Sequence, residues 1–208
     1  MNKSESFRDY ENRDYHQCEM LVNEAWAFDE NFRPQGLADI AKLLYTKGSV
    51  LNSNYKKVVE IEGDVAGFIF GFNELSDKQK NTFLFGLKIL WKLYRVKPIE
   101  TGDKKKLLKA LADHEKNRSK LVDRGKSEIV LFVVGKKYQG LGYGKKLWSG
   151  FLSHCKQRGV KSIFVETNRL GASSFYEQLG FIHVGDFDSP LHEYATKGGQ
   201  ACMYEYEC

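Results

Sequence analysis

The segment from residue 128 to 166 restricts the fold of this chain most strongly. It contains the apolar run Ile129 to Val134, a glycine-rich string from Tyr138 to Lys146, an amphipathic stretch, and a second apolar run from Ser162 to Glu166. The first run is continuously apolar, which predicts a strand buried on both faces. A strand, loop, helix and strand in this order normally form a parallel pair, because the helix supplies the crossover connection.

The amphipathic stretch predicts a helix that begins within the glycine string. Its apolar residues recur at one-turn spacing, and the basic residues and Gly159 that follow are typical of a helix C-terminus. The apolar positions are Leu147, Trp148, Phe151, Leu152 and Cys155.

The string Tyr138-Gln139-Gly140-Leu141-Gly142-Tyr143-Gly144-Lys145-Lys146 has the properties of a phosphate-binding loop. Its three alternate glycines allow a tight turn whose N–H groups point outward, and the start of the following helix adds unpaired N–H donors. We therefore expect a ligand that carries phosphates.

Two common phosphate-binding loops fit this spacing less well. A nucleotide-triphosphate loop needs a glycine five positions before Gly144 and Ser or Thr after the lysine, but Gln139 and Lys146 stand there. A dinucleotide fingerprint needs a small residue where Lys145 stands, although Glu166 falls near the expected ribose-binding acid. The dinucleotide fold stays an alternative that the spacing disfavours.

The same residues resemble the GNAT superfamily of acyl-coenzyme A N-acyltransferases. Gln139-Gly140-Leu141-Gly142-Tyr143-Gly144 matches its Q/R-x-x-G-x-G/A motif, and Asn168, Ala172, Tyr176-Glu177 and Gly180-Phe181 match a second stretch, N-x-x-x-A-x-x-x-Y-E-x-x-G-F. The resemblance is loose over residues 7 to 73 and good over 126 to 206. It implies an α/β (α+β) fold with a mixed, mostly antiparallel sheet, helices on both faces, and a splayed parallel strand pair that holds acyl-CoA.

The resemblance also implies a site for acetyl-coenzyme A (acetyl-CoA) as co-substrate. The diphosphate lies on the loop, the pantetheine arm binds the backbone at Val134, and an amide at this strand end can hold the thioester oxygen. The implied coenzyme-binding residues are Val134, Gln139, Gly140, Leu141, Gly142, Tyr143, Gly144, Lys145, Asn168 and Tyr176.

Two residues are candidates for proton transfer, because the amine acceptor must lose a proton and the leaving thiolate must gain one. The resemblance implies that Tyr176 is the acid, and a phenol is protonated at neutral pH; packing of Tyr176 against the sheet is the alternative. Glu128 is the candidate base, at the offset from Gln139 found in histone-type members. The alternative is that Glu128 is solvated or paired with Lys126, and that water relays the proton in place of a base.

The expected activity is direct transfer of an acetyl group to a primary amine of an unidentified small molecule, peptide or protein. A transferase for a longer acyl group and a non-catalytic acyl-CoA-binding module remain alternatives, because the glycine loop contacts only the coenzyme.

Composition sets the remaining expectations. The chain has 208 residues, 42% of them hydrophobic and 28% charged, which suits one globular domain. We expect a cytoplasmic protein without a signal peptide or transmembrane segment, as a monomer or homodimer, with no nucleic-acid partner. The four cysteines show neither metal nor disulfide spacing, so no metal is expected.

The N-terminal part predicts the remaining elements of the domain. Ser6 to Tyr10 is a candidate strand, residues 18 to 26 and 37 to 44 are candidate helices, and residues 58 to 70 predict a hairpin. The loop from Asp29 to Gln35 lies where the family usually contacts the acceptor.

A helical insert at about residues 75–126 departs from this plan. From Asp77 to Lys126 it carries fifteen Lys and Arg against six Asp and Glu, whereas the rest of the chain is mildly acidic. One helix is predicted over Phe83 to Tyr94 and a second over Asp103 to Arg124, ended by Gly125. The second is expected to turn its apolar residues toward the core: Leu107, Leu108, Leu111, Leu121 and Val122. Four interpretations of the insert compete. It can present a solvated basic face, form a wall of the acceptor pocket, form a dimer contact, or attract acidic acceptors, nucleic acid or a membrane surface.

Overall fold

The computed structural model describes residues 4–76, 83–96, 101–190 and 200–208. They form one seven-stranded mixed sheet in the order β1-β2-β3-β4-β5-β7-β6. The strands are β1 (Glu5–Asp9), β2 (Tyr55–Ile61), β3 (Asp64–Phe72), β4 (Glu128–Val134), β5 (Ser162–Asn168), β6 (Ile182–Phe187) and β7 (Ala201–Glu207). Only β4 and β5 pair in parallel; the other neighbours are antiparallel.

Eight α-helices are described in the same residues. They are α1 (Tyr15–Trp26), α2 (Phe28–Asn31), α3 (Gln35–Leu43), α4 (Ser49–Asn52), α5 (Phe83–Arg95), α6 (Thr101–Arg118), α7 (Tyr143–Gln157) and α8 (Ser173–Gln178). A π-helical turn, Leu44–Gly48, joins α3 to α4. The predicted first strand, N-terminal helices and hairpin are confirmed, and α2 is an additional helical turn in the loop from Asp29 to Gln35. None of these described helices is long and apolar enough to cross a membrane.

The sheet has a hydrophobic core on each face. On one face, α7 packs Leu147, Trp148 and Phe151 against β-strand residues such as Val59 and Ile163. On the other face, α1 packs Cys18 and Val22 against a second set of strand residues, Val58, Phe68, Phe70, Leu131 and Val133. The helices therefore cover both faces, as the alternation of side chains along the strands requires.

A bulge in β4 opens the sheet at its only parallel pair. Phe70 lies opposite Leu131 and Gly71 opposite Ile129, so Val130 has no partner in β3. Beside it, β4 pairs with β5 at two positions only, Glu128 with Phe164 and Ile129 with Val165. Because a bulge bends and twists its strand, the two strands separate beyond this point, and this confirms the splayed parallel pair.

The prediction that β4 is buried on both faces was wrong for alternate residues. Ile129, Leu131 and Val133 are buried, but Glu128, Val130, Phe132 and Val134 are only half-buried. The reason is that the strands part, so one side of β4 borders a groove and is not covered by a packed helix.

The insert contains the two predicted helices, but the second ends earlier than expected. Helix α6 stops at Arg118, seven residues before Gly125, and Val122 is buried in a small cluster with Phe187 and Met203. Leaving the helix at Arg118 lets the chain turn Val122 onto β6 and β7. Leu108 is exposed, contrary to the prediction, and the side chain of Leu107, with residues 77–82 and 97–100, lies outside the described residues.

Candidate active site

A groove of about 1980 Å³ runs along the gap between β4 and β5. The glycine loop and the start of α7 form one part of its wall, and residues of α1, α3 and α6 form the opposite part. Ten of the predicted site residues line it: Glu128, Val134, Gln139, Gly140, Gly142, Tyr143, Gly144, Lys145, Asn168 and Tyr176. Leu141 is the exception among the predicted residues, since its side chain is exposed to solvent and is not part of the lining.

The glycine loop has the conformation that the sequence predicted. Gly140 and Gly142 have φ values of 76° and 87°, in the left-handed region that residues other than glycine rarely adopt. A Cβ at either position would have open space around it, so these glycines are required by backbone conformation. Gly142 caps α7 without any side-chain hydrogen bond, which leaves the first N–H groups of the helix for an anionic ligand.

Gln139 links the loop to the end of β4. Its Nε2 donates a hydrogen bond to the carbonyl oxygen of Val134 at 3.0 Å. Gly135, which follows Val134, donates its N–H to the carbonyl oxygen of Ala66 in β3. Because antiparallel hydrogen bonding alternates along a strand, the N–H of Val134 faces away from β3 and toward the gap.

The two lysines at the start of α7 differ in their surroundings. Lys145 is exposed and lines the groove. Lys146 turns away to Glu5, with Nζ 2.6 Å from Oε1, and also lies over the rings of Phe7 and Tyr143. Of these two lysines, Lys145 therefore places its charge at the groove, and Lys146 is paired with Glu5.

Asn168 lies at the end of β5, where its side chain shapes a turn. Its Oδ1 accepts a hydrogen bond from the N–H of Leu170 at 2.8 Å, and its carbonyl oxygen accepts one from Gly171. This geometry fixes the chain as it leaves β5 toward α8, which carries Tyr176.

Tyr176 is buried at the wall of the groove. Its ring packs edge-on against Phe175 and Phe181, and burial raises the pKa of its phenol well above the ordinary value. No described residue forms a hydrogen bond with its hydroxyl. The ring of Tyr176 is therefore packed in the core, and the residue also lines the groove.

Glu128 belongs to a cluster of charged groups at the opposite end of β4. Arg118 of α6 donates a hydrogen bond from one NH2 group to Oε2 of Glu128, and its Nε lies 3.2 Å from Oε2 of Glu166 on β5. His114, one turn earlier on α6, lies 3.6 Å from the same Glu166 oxygen through Nε2. Its Nδ1 is 2.9 Å from the hydroxyl oxygen of Ser189. Helix α6 thus brings two basic side chains against two carboxylates.

The pKa of Glu128 is raised above its ordinary value. Burial is the largest cause, and the charge of Glu166 adds to it, while the guanidinium of Arg118 opposes both. A carboxyl group with a raised pKa is a stronger base once it is ionised. Glu128 is thus half-buried and paired with Arg118, whereas Lys126 pairs with Glu74.

Three groove residues were missed by sequence reasoning: His114, Arg118 and Tyr45. Tyr45 lies in the π-helical turn, stacks near Trp26 and Phe28, and has a raised pKa because of burial and the charge of Glu166. No motif contains these residues. The one available signal is the spacing of His114 and Arg118, which puts them on one face of a helix.

Asp29, in the loop where acceptor contacts were expected, is fully engaged within the protein. Its carboxylate receives hydrogen bonds from Asn23, Gln35 and Lys42. Phe32 of the same loop lines the groove. The described residues contain no group of three or more His, Cys, Asp and Glu side chains that could hold a metal ion.

Comparisons with known proteins agree with this geometry. A family model described as an acetyltransferase (GNAT) domain matches residues 101–188, a range that begins in α6 and includes the glycine loop and Tyr176. N-alpha-acetyltransferase 30 of Schizosaccharomyces pombe (strain 972 / ATCC 24843) is 35% identical over 78 residues, which are 36% of this chain and 49% of that protein. The match therefore spans about half the length of this relative.

Solved structures with low sequence identity share the fold. The ribosomal-protein-S18-alanine N-acetyltransferase from Escherichia coli has a TM-score of 0.54 at 15% identity, over 98% of this chain and 94% of that one. The protein yncA from Salmonella typhimurium, solved with its cofactor acetyl-CoA, has a TM-score of 0.53 at 13% identity, over 98% and 93%. The family model and the sequence motifs coincide over residues 101–188, which match an acetyltransferase (GNAT) domain, and the solved structures share the fold.

Proposed function

We propose that this protein transfers the acetyl group of acetyl-CoA directly to a primary amine. The observation that carries the proposal is the arrangement around one groove: an N–H-lined glycine loop, the opened strand β4, Tyr176 and Glu128 all border it. A phosphate loop alone suits many ligands, but a loop beside a splayed strand pair suits a long ligand with a diphosphate at one end.

The donor lies with its diphosphate on the N–H groups of residues 140 to 145 and its pantetheine arm along β4. Glycines allow the close approach, and the groove-facing N–H of Val134 is an available donor for the arm. The coenzyme residues of this chain are therefore those from Gln139 to Lys145, with Asn168 at the far side of the gap. Acetyl-CoA is the ligand named for the Salmonella relative of similar fold.

The thioester belongs further along β4 than Val134. Val134 and Glu128 are the two ends of the strand, about 20 Å apart at about 3.3 Å per residue. That separation is too long for an amine held at Glu128 to reach a thioester at Val134. The N–H of Phe132 faces the gap as well, by the same alternation, and it is the better donor for the thioester oxygen as negative charge develops there.

Each proton then has a defined origin and destination. The ammonium form of the acceptor gives one proton to the carboxylate of Glu128, directly or through water, and the freed amine attacks the thioester carbonyl carbon. A C–N bond forms, the positively charged nitrogen of the tetrahedral intermediate loses its second proton to water, and the C–S bond breaks. The phenol of Tyr176 protonates the departing thiolate. Solvent then reprotonates the Tyr176 phenolate and takes the proton from Glu128. A cysteine nucleophile is not needed, and burial raises the pKa of Cys155 to about 12 and that of Cys202 to about 11, so both thiols are protonated at neutral pH.

The acceptor end of the groove suits a cationic group beside an apolar one. Glu128 and Glu166 supply negative charge, and the aromatic rings of Trp26, Phe32 and Tyr45 line the same groove. The Schizosaccharomyces pombe relative is named an N-alpha-acetyltransferase, and the Escherichia coli relative is named for an alanine of ribosomal protein S18. Peptides with free N-termini are therefore the first acceptors to test, followed by small polyamines and lysine peptides.

The test follows free thiol release from acetyl-CoA with a panel of amine acceptors. Tyr176→Phe should lower kcat by about 100-fold, the usual contribution of a proton donor, and Glu128→Gln should lower it by about tenfold or more, since water can partly replace a base. Tyr206→Phe is a matched control, because Tyr206 packs against Trp148 away from the groove.

Three results would contradict the proposal or part of it. Acetyl-CoA binding without thiol release for any acceptor would favour a binding module. Faster release from a longer acyl-CoA than from acetyl-CoA would assign a different donor. Unchanged coenzyme affinity and turnover in Tyr176→Phe would remove Tyr176 from the mechanism.

A further inference from the structure

Helix α5 exposes an apolar face that the fold does not cover. Ile89 and Leu93 are buried against Ile40 in a cluster with other α3 residues. On the opposite side, five large apolar or aromatic side chains are between 48% and 79% exposed: Leu84, Leu87, Leu90, Trp91 and Tyr94. At 100° per residue these five occupy an arc of about 120°. This is the widest exposed apolar surface on any described helix.

A basic stripe borders this apolar face. Lys88, Lys92 and Arg95 fall on the arc between the exposed face and the buried face, and the guanidinium of Arg95 lies 4.5 Å from the centre of the Trp91 ring. The helix contains no acidic residue, and the segment from Asp77 to Lys126 carries fifteen basic against six acidic residues. The charged residues of α5 itself are therefore all basic.

The size of the helix, its apolar face and its basic stripe together indicate the kind of partner. A second protein copy is disfavoured by size, because a stable dimer buries about 800 Å² on each partner, and one face of a 13-residue helix about 20 Å long supplies only part of that area. Nucleic acid would match the basic stripe but not five apolar side chains. A bilayer with anionic headgroups matches both, since apolar residues enter the acyl boundary and the basic residues meet the phosphates.

We propose that α5 docks this protein in the plane of an anionic phospholipid bilayer, with Leu87, Leu90, Trp91 and Tyr94 inserted and Lys88, Lys92 and Arg95 at the headgroups. Tyrosine and tryptophan favour the interfacial region because each ring has an apolar body and a polar tip. Docking leaves the buried face of α5 unchanged, so the contacts of Ile89 and Leu93 with α3 persist.

The docked surface would lie beside the groove. Helix α3 contributes Leu37 and Ile40 both to the cluster that seats α5 and to the groove lining. A protein held in this way would meet amines that are concentrated at a membrane surface. This consequence is independent of the acetyl-transfer steps, so the docking can be tested without an acceptor.

The experiment is vesicle co-sedimentation of the full chain with phosphatidylcholine alone and with equimolar phosphatidylglycerol. We expect binding to the mixed vesicles, and added salt should weaken it. Binding to phosphatidylcholine alone should be weaker by about tenfold or more. Trp91 is the exposed tryptophan of the three, since Trp148 is buried and Trp26 half-buried. Its fluorescence should therefore shift to the blue on binding and be quenched by brominated lipid, and Trp91→Phe should lose this signal.

Variants separate the two contributions. Leu87→Glu combined with Leu90→Glu should lower binding to mixed vesicles at least tenfold, as expected when apolar burial is replaced by charge. Lys88→Gln combined with Arg95→Gln should reduce the preference for anionic vesicles. Met20→Glu is the matched control, because Met20 is 60% exposed on α1, and it should bind like the unmodified protein. Thiol release in solution should be the same for all of these proteins.

Several outcomes would overturn the proposal. These are absence of binding to mixed vesicles, equal binding of the Leu87/Leu90 variant and the unmodified chain, and equal loss in Met20→Glu. Light scattering that shows a dimer dissolved by the Leu87/Leu90 substitutions would assign the face to a second copy instead. Loss of acetyl transfer with vesicle binding intact would refute the proposed function and leave the docking standing.

Discussion

The glycine loop and the charged cluster around Arg118 occupy the same groove but are built in different ways. The loop acts through its backbone, with left-handed glycines at 140 and 142 and the free N–H groups of α7 within a few residues of sequence. The cluster acts through side chains from α6, β4 and β5, joined by Arg118 across 10 and 48 residues. The loop is therefore encoded by neighbouring residues, whereas the cluster depends on segments that only the fold brings together.

The largest expected effect comes from breaking the loop. Gly142→Val forces a β-branched residue into the left-handed region, which costs about 1–3 kcal/mol, and moves the first N–H groups of α7. We expect the dissociation constant of acetyl-CoA to rise about 10- to 100-fold, measured by titration calorimetry.

Gly159→Val is the matched control for this change. Gly159 also has a left-handed φ, of 78°, in the turn after α7, and it lies outside the groove lining. It should lower the melting temperature while acetyl-CoA affinity stays unchanged. Equal losses of affinity in both variants would mean that strain alone, without a role in binding, explains the effect at Gly142.

The next largest effect comes from removing the charge that joins the cluster. In Arg118→Gln the guanidinium no longer opposes the effects of burial and Glu166, so the already raised pKa of Glu128 should rise further. A base acts only when ionised, so the acidic limb of the pH profile of kcat/KM should move to higher pH. At neutral pH this lowers kcat/KM by about tenfold or less.

Acetyl-CoA affinity should stay unchanged in Arg118→Gln, since the loop is separate from the cluster. Arg124→Gln is the control, because Arg124 forms an exposed pair with Glu115. A pH profile that stays in place would show that Arg118 does not tune Glu128.

The smallest expected effect distinguishes two adjacent lysines of the loop. Lys145→Gln should weaken acetyl-CoA about threefold at low salt, with the difference fading as salt is added, because a single exposed charge contributes about 0.5–1 kcal/mol. Lys146→Gln should change affinity less, because Lys146 is paired with Glu5. The opposite order, measured by the same titration, would place the coenzyme on the other side of α7.

Local patterns predicted most of the fold. The patterns of apolar residues predicted the hairpin and α1. The glycine spacing predicted the loop and the start of α7. Errors occurred where distant contacts decide the structure. Helix α6 ends at Arg118 because Val122 packs with Phe187 and Met203, and half of β4 is open because a bulge at Val130 parts it from β5.

The sequence by itself determined the coenzyme half, because a backbone conformation that needs glycine and a helix N-terminus are encoded by neighbouring residues. The family resemblance of the sequence also nominated Glu128 and Tyr176 for proton transfer. Only the tertiary structure decided that Arg118 and His114 meet Glu128 and Glu166, that Lys146 is diverted to Glu5, and that α5 keeps one apolar face uncovered. These features depend on packing between segments far apart in the chain, which no local pattern records.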